Sequence, residues 1–218
     1  MCGSFDTANL SWQDIVDLAR LTTNEPLPLF SGKDRFPMRK KTKAAGEWNG
    51  TPIIRDRNDV REAAEAQWGL VPFWWRKPLS EKAFDTFNAK LEGVRETKSY
   101  RHALEKQRCV IPTSCFYEST GPKGGKTKHR VTLAGGGPVM LAGLYDYNKD
   151  LELLSFTIIT TEPGPRFRAF HHRVPAILPG PGAIEGYLSG PVDEAIAIAG
   201  RSTDELLVMD PPEPAEPA

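Results

Sequence analysis

The second residue of the sequence is a cysteine, and this position gives it chemistry that an internal cysteine lacks. Removal of Met1 would leave Cys2 with a free α-amine and a thiol on adjacent carbons, a 1,2-aminothiol. The pKa of an α-amine is about 7.7–8.0, so part of the amine is unprotonated at neutral pH. Two reactions suit this pair: attack by the thiolate with the amine as its base, or condensation of the amine with an aldehyde followed by closure of a thiazolidine. The alternative is that Cys2 is incidental.

Three other polar residues stand within or beside apolar stretches and are candidates for proton transfer or orientation. Glu118 follows two aromatic residues, where a carboxylate can have a raised pKa, although a surface strand end is the simpler interpretation. His171 leads into an apolar run, where a histidine serves either as a proton shuttle or as a hydrogen-bonded structural residue. Asn88 suits the orientation of a substrate, or the stabilisation of a turn.

A tryptophan-rich segment, residues 68–75, is the candidate surface for an aromatic ligand. We predict that Trp68 lies in the core and that Trp74 and Trp75 are exposed beside Arg76 and Lys77. Exposed aromatic rings next to cations suit the stacking of bases in single-stranded nucleic acid. A hydrophobic lid is the alternative interpretation.

The elements that must position these residues are short strands and few helices. Ser11 predicts a helix cap, with an amphipathic helix from Trp12 to about Thr22. Further helices are predicted over 91–107, 183–189 and 192–199, and strands over 51–55, 109–112, 129–133, 139–144, 153–160 and 206–209. No linker divides residues 1–209, which predicts one α+β domain with a curved, mostly antiparallel, barrel-like sheet and flanking helices. Residues 210–218 form an acidic, proline-rich tail that we expect to be disordered.

The composition narrows the classes of function. The 218 residues contain 28 Lys and Arg against 28 Asp and Glu, which excludes nucleic-acid binding by bulk positive charge but leaves room for a local basic groove. No apolar run is long enough for a membrane span. Three cysteines without metal spacing favour a reducing cytoplasm, with Cys109 and Cys115 buried. No phosphate-binding loop, dinucleotide motif or zinc pattern is present, so we expect no cofactor and no metal.

In their order along the chain, these segments resemble the SRAP family, the SOS response-associated peptidases or abasic-site-processing proteins. The resemblance covers roughly residues 1–190. It departs from the usual family pattern at Ser4, Lys90, Ser119 and His172. The matching segments are Met1-Cys2-Gly3, Trp68-Gly69-Leu70-Val71-Pro72, Asn88-Ala89-Lys90-Leu91-Glu92, Arg108-Cys109-Val110-Ile111-Pro112, Phe116-Tyr117-Glu118, Phe156-Thr157-Ile158-Ile159-Thr160-Thr161 and His171-His172-Arg173-Val174-Pro175-Ala176-Ile177-Leu178.

The resemblance implies a cytoplasmic, monomeric sensor in the DNA damage response that binds abasic sites in single-stranded DNA or at its junction with duplex. Cys2 would form a thiazolidine crosslink with the aldehyde of the ring-opened abasic sugar. Glu118 would transfer protons, His171 would act as acid and base on the sugar, and Asn88 would position the N-terminal residue or the lesion. The expected DNA contacts are Lys90, Lys98, Arg101 and Arg173 on phosphates and Trp74 and Trp75 as a stacking wedge.

Three alternatives remain open on the sequence. One is an N-terminal-nucleophile hydrolase of the glutamine amidotransferase type, whose sequences also open with Met-Cys-Gly and which usually has a four-layer α/β core. Another is a thiol peptidase that removes its own N-terminal extension, an idea that the family name preserves. The last is a DNA-binding module that needs no covalent chemistry at Cys2.

Overall fold

Strands dominate the regular structure, because the chain joins runs of β-branched and aromatic residues by short turns. The computed structural model describes residues 3–7, 10–22, 38–39, 50–82, 85–122 and 125–210. The strands are β1 (Ser4–Asp6), β2 (Met38–Arg39), β3 (Thr51–Arg57), β4 (Val60–Trp68), β5 (Asn88–Lys90), β6 (Arg108–Thr113), β7 (Cys115–Thr120), β8 (Thr127–Leu133), β9 (Val139–Asn148), β10 (Leu153–Thr161), β11 (Val174–Pro175) and β12 (Leu207–Met209). The α-helices are α1 (Trp12–Ala19), α2 (Arg101–Lys106), α3 (Pro165–Arg168), α4 (Pro181–Ser189) and α5 (Val192–Ala199).

Five strands close into a barrel through β10. The ring of pairings runs β10–β4–β3–β6–β9 and returns to β10. All described pairings are antiparallel except those of β10 with β4 and with β5. On β10, Thr160 is the Cα partner of Lys90 on β5 and of Pro175 on β11. The prediction of an α+β fold with a curled, mostly antiparallel sheet is confirmed.

A second sheet lies against the barrel and carries Glu118. Its strand order is β12–β8–β7–β1–β2, with β7 in the middle. Phe5 on β1 and Phe116 on β7 are buried in one apolar cluster with Trp68, whose ring centroid lies 5.0 Å from that of Phe5. Because side chains alternate across a strand, adjacent residues serve different cores. Ile53 joins this cluster, and the next residue of β3, Ile54, joins a second cluster with helices α1, α4 and α5.

Most predicted elements are confirmed, including the cap at Ser11, which accepts a hydrogen bond from the backbone N–H of Asp14. The helix predicted over 91–107 was wrong in extent: it is a 3₁₀ turn at Leu91–Gly93 followed, after an irregular segment, by α2. Within this segment, the hydroxyl and the N–H of Thr97 both donate to the carbonyl of Gly93. No helix among the described residues is long and apolar enough to cross a membrane. The predicted tail lies outside the described residues from 211 onwards.

Candidate active site

Glu118 is a buried carboxyl group on the central strand of the second sheet. Only 4% of its surface is exposed, and it continues the inward-facing row that begins with the core residue Phe116. Burial raises the pKa of Glu118 to about 7, although the charge of Lys126 opposes this rise. The alternative of a surface strand end is therefore wrong. A carboxyl group with this pKa is present in both protonated and ionised forms at neutral pH, which suits a general acid and base.

His171 faces this carboxyl group, with its Nε2 3.7 Å from Oε2 of Glu118. Burial lowers the pKa of His171, and the charges of His172 and Lys126 lower it further. The backbone N–H of Arg173 donates to Nδ1 at 3.1 Å, which leaves the ring proton of neutral His171 on Nε2, towards Glu118. Protonated at Nδ1, the ring would instead donate to the carbonyl of Arg173, 3.0 Å away. The raised pKa of Glu118 and the lowered pKa of His171 favour the neutral forms over a permanent ion pair, and an approach of a few tenths of an ångström would bring the two groups into hydrogen-bond distance.

Arg173, two residues after His171, forms a clamp with Glu92. Its Nη1 and Nη2 each lie 2.9 Å from a carboxylate oxygen of Glu92, and Nη2 also donates to the carbonyl of Thr160. Burial alone would raise the pKa of Glu92, but the bonds from Arg173 lower it overall. Arg173 is 6% exposed, so a phosphate could reach its guanidinium only if the Glu92 pair opened. In the structure Arg173 joins the turn that carries His171 to the segment after β5.

Asn88 begins β5 and is half-buried. It is the Cα partner of Ile158 on β10, and its carbonyl accepts from the hydroxyl of Tyr100 at 3.4 Å. The Glu92–Arg173 clamp ties β5 and its following turn to the turn of His171 at the end of β10. Asn88 is therefore held by the same framework as the acid–base pair.

Trp74 and Trp75, which we predicted to be exposed, are half-buried. Asn148 fixes their loop, because its side-chain amide donates to the carbonyls of both Pro72 and Trp75 at 2.9 Å. The ammonium of Lys98 lies 4.4 Å from the ring centroid of Trp74. The structure thus brings together a predicted stacking residue and a predicted phosphate contact.

The remaining predicted site residues divide into exposed cations and the N-terminal cysteine. Lys90 and Arg101 are exposed, on β5 and at the start of α2. Cys2 lies outside the described residues. Its covalent neighbour Gly3 leads into β1, which pairs with β7, with Ser4 as the Cα partner of Tyr117.

Sequence reasoning assigned no role to four residues that the structure places around the acid–base pair. Lys126 shifts the pKa of both Glu118 and His171. His129 is the Cα partner of Glu118 on β8, and the ring of His172 lies 4.4 Å from that of His171. Phe170 is 42% exposed, directly before His171. Only tertiary structure brings His129 and Phe170 together.

Comparison with known proteins gives consistent matches. A family model described as SOS response associated peptidase (SRAP) matches residues 1–209. The abasic site processing protein YMR114C of Saccharomyces cerevisiae is 31% identical, over 98% of this chain and 60% of its own length. The abasic site processing protein YoaM of Bacillus subtilis is 32% identical, over 82% of this chain and 75% of its own. The chain thus spans 60% of the length of the yeast relative.

Solved structures show the same fold. A crystal structure of a protein from Bordetella bronchiseptica superposes with a TM-score of 0.76, over 95% of this chain and 98% of its own, at 24% identity. A protein from Bacteroides thetaiotaomicron superposes with a TM-score of 0.63, over 72% of this chain and 71% of its own, at 26% identity.

Proposed function

The chain belongs to the SRAP family, and on that premise we propose that it captures abasic sites in single-stranded DNA through a thiazolidine at Cys2. The observation that carries this proposal is the pairing of Glu118 and His171. A buried carboxyl group with a pKa of about 7 faces a histidine whose pKa is lowered. The relatives named abasic site processing proteins support DNA with abasic sites as the substrate.

Chain geometry supports a position for Cys2 close to this pair. Consecutive Cα atoms are about 3.8 Å apart, so the Cα of Cys2 lies within about 8 Å of that of Ser4. Ser4 is the Cα partner of Tyr117, and the same register continued by one residue would set Gly3 opposite Glu118. That register would bring the N-terminal cysteine within reach of the carboxyl group that we propose serves it.

The proposed reaction needs an acid, a base and an aldehyde, and releases one water. His171 assists opening of the sugar ring, in which the anomeric hydroxyl loses a proton and the ring oxygen gains one. The amine of Cys2 adds to the aldehyde carbon, and protonated Glu118 donates to the hydroxyl that leaves as water, which gives a protonated imine and the Glu118 carboxylate. The thiol then adds to the imine carbon and gives its proton to that carboxylate, so the ring nitrogen keeps one proton and Glu118 ends as it began.

Cations and aromatic rings would hold the DNA strand before this chemistry. The exposed side chains of Lys90 and Arg101 suit phosphate contacts, and Lys98 over Trp74 suits a contact to phosphate beside a stacked base. We extend the proposal to junctions with duplex DNA, with the tryptophan loop as the wedge.

A denaturing gel tests the proposal. Protein freed of Met1 is incubated with single-stranded DNA whose uracil has been excised, then heated and separated by size. We expect a heat-stable shifted band that is absent from Cys2→Ala. Cys2→Ser keeps the amine but lacks the thiol, so it should give a band only after borohydride reduction traps the imine. No band from a protein with a verified free Cys2 would overturn the proposal and direct the work to glutaminase and peptide-hydrolysis assays.

A further inference from the structure

An exposed aromatic surface lies immediately beside the acid–base pair. Phe170 precedes His171 in the chain and is 42% exposed. His129 is directly opposite Glu118 across the β7–β8 pairing, and residues opposite each other in an antiparallel pair share a face of the sheet. The rings of Phe170 and His129 meet edge to face, with their centroids 6.2 Å apart. The ring pair is therefore carried by the segment that holds His171 and by β8, the strand next to the one that holds Glu118.

Neighbouring side chains hold both rings in place. The Nε2 of His129 lies 2.8 Å from the hydroxyl of Thr120, within hydrogen-bond distance. The ring of Phe167 lies 6.4 Å from that of Phe170 and 6.2 Å from that of the core residue Phe116. The backbone N–H of Phe170 donates to the carbonyl of Phe167 at 2.9 Å. The ring of Phe170 is thus held in place by its contact with the core ring of Phe167. A ligand that binds there would lose little free energy in fixing this side chain.

A cavity of about 250 Å³ opens next to Phe170, between α3 and β12. Its wall includes the apolar side chains of Phe167, Leu207 and Met209, with Arg166 at the rim. Sites that enclose drug-sized ligands measure about 300–1,000 Å³, so this cavity suits a smaller, flat, apolar group. The nearby carboxylate of Asp204 already accepts hydrogen bonds from the backbone N–H groups of Arg166 and Phe167.

The cation beside this surface is Lys126, which acts electrostatically on both Glu118 and His171. Arg166, at the cavity, pairs with the exposed Glu205 at 3.5 Å, so we assign it no phosphate contact. An exposed aromatic ring with a cation nearby suits an unpaired nucleobase and its phosphate. An apolar peptide side chain would gain little from Lys126.

We propose that Phe170 and His129 form a second stacking site, separate from Trp74, which receives the nucleobase adjacent to the abasic site. This inference rests on the proposed function, because the position of the lesion at Glu118 and His171 defines which base is adjacent. The base lies on Phe170 and extends into the cavity beside it, and the lesion stays at the acid–base pair. Stacking here would hold the strand at the base next to the lesion, in addition to the contact proposed at the tryptophan loop.

The test measures non-covalent binding by fluorescence anisotropy with single-stranded DNA that carries a tetrahydrofuran abasic analogue. The analogue has no aldehyde and cannot crosslink, so the result is independent of the chemistry at Cys2. We expect Phe170→Leu, which keeps the apolar contact with Phe167 but removes the ring, to weaken binding about 5- to 100-fold. Phe170→Trp should bind like the wild type. Tyr147→Leu, which removes a similarly exposed ring on β9, is the matched control and should change nothing.

A double-mutant cycle identifies the base. A second tetrahydrofuran replaces the neighbouring nucleotide on the 5′ side or on the 3′ side of the first. At one of these positions, loss of the base should weaken the wild type as much as Phe170→Leu does and have little effect on Phe170→Leu itself. Additive losses at both positions, unchanged binding by Phe170→Leu, or no binding by the wild type would overturn the inference. If the cycle shows coupling but the gel shows no crosslink, only the covalent proposal fails.

Discussion

At the scale of single residues, the decisive feature is a carboxyl group kept away from water. Glu118 has Phe116 two residues before it on the same face of β7, and 4% of its surface is exposed. Burial of an ionisable group penalises its charged form, which is why the pKa of Glu118 rises to about 7. The same burial that suits Glu118 to act as an acid also lowers the free energy of unfolding when the group ionises.

The first prediction is a bell-shaped dependence of the crosslinking rate on pH. Protonated Glu118 decreases as pH rises through about 7, whereas the free amine of Cys2 increases towards about 7.7–8.0. Their product should be greatest between these values. In Glu118→Gln the rate should fall by on the order of 100-fold, and the decline on the alkaline side should disappear. Single-turnover rates on abasic single-stranded DNA from pH 5.5 to 9 check this, and an unchanged alkaline limb in Glu118→Gln would contradict it.

The second prediction concerns the free energy of unfolding. The folded pKa of Glu118 lies above its ordinary value of 4.5, so the unfolded chain releases the proton first as pH rises. The resulting penalty is absent below about pH 4.5 and complete above about pH 7, where it reaches at most about 3 kcal/mol. Relative to the wild type, Glu118→Gln should gain stability between pH 5 and pH 8. Urea unfolding at both values measures the gain, and an equal difference between the two proteins at both would rule out this linkage.

At the scale of elements, the clamp between Glu92 and Arg173 ties two otherwise separate turns together. One turn follows β5, and the other carries His171 ahead of β11. Arg173 bonds both carboxylate oxygens of Glu92 and the carbonyl of Thr160, at the end of β10. The Arg173 backbone N–H in turn sets which nitrogen of His171 carries the proton. Orientation of the histidine ring therefore depends on a pair that need not touch the DNA.

We predict that Glu92→Gln slows crosslinking about 10- to 100-fold with little change in affinity for aldehyde-free abasic DNA. The neutral amide cannot hold both nitrogens of Arg173 as a bidentate partner. Glu96→Gln, an exposed glutamate a few residues along the chain, is the matched control and should react at the wild-type rate. A positioning role requires that the crosslinking rate falls while the affinity for aldehyde-free abasic DNA is unchanged. A parallel loss of both would show that Arg173 acts mainly on the DNA, or that the turn has unfolded.

At the scale of the whole molecule, zero net charge must be reconciled with the polyanionic ligand that we propose. The exposed cations that the site can offer are Lys90, Lys98, Arg101 and Lys126. Other cations pair with acids: Arg61, for example, pairs with both Asp56 and Glu185. Since the net charge is zero, binding should depend on a few local phosphate contacts rather than on bulk attraction.

We therefore predict a modest salt dependence. Each phosphate contact with a single strand contributes about −0.7 to the slope of log K against log salt, so four contacts give about −3. Lys90→Gln should weaken binding and make the slope less steep by about 0.7. Arg57→Gln, exposed at the end of β3, removes the same charge away from the predicted contacts and should leave the slope unchanged. Anisotropy titrations from 50 to 300 mM salt measure both, and equal effects of the two variants would point to bulk charge instead.

Local sequence patterns correctly predicted the elements that form mainly through contacts between residues close in the sequence. Helix α5 was predicted with its observed bounds, Val192–Ala199, because its apolar periodicity is uninterrupted. Strand β4 was not predicted, because Ala and Glu fill much of its sequence and favour helices. Pairing with β3 along its length overrides that preference. In the same way, the burial of Glu118, the Arg173 clamp and the His129–Phe170 pair arise from contacts between distant segments, which no local pattern contains.

Strand β10 closes the barrel, and this has a consequence for the order in which the protein is made. Its partners include β4 and β5, which leave the ribosome long before it, and β11, which follows it. At about 5–20 residues per second, these early strands wait for seconds before β10 emerges. Their long-range pairing also slows folding. The amine and thiol at Cys2 are among the first groups synthesised, but His171 is still to come, so a nascent chain carries the proposed nucleophile without its proposed proton-transfer partner.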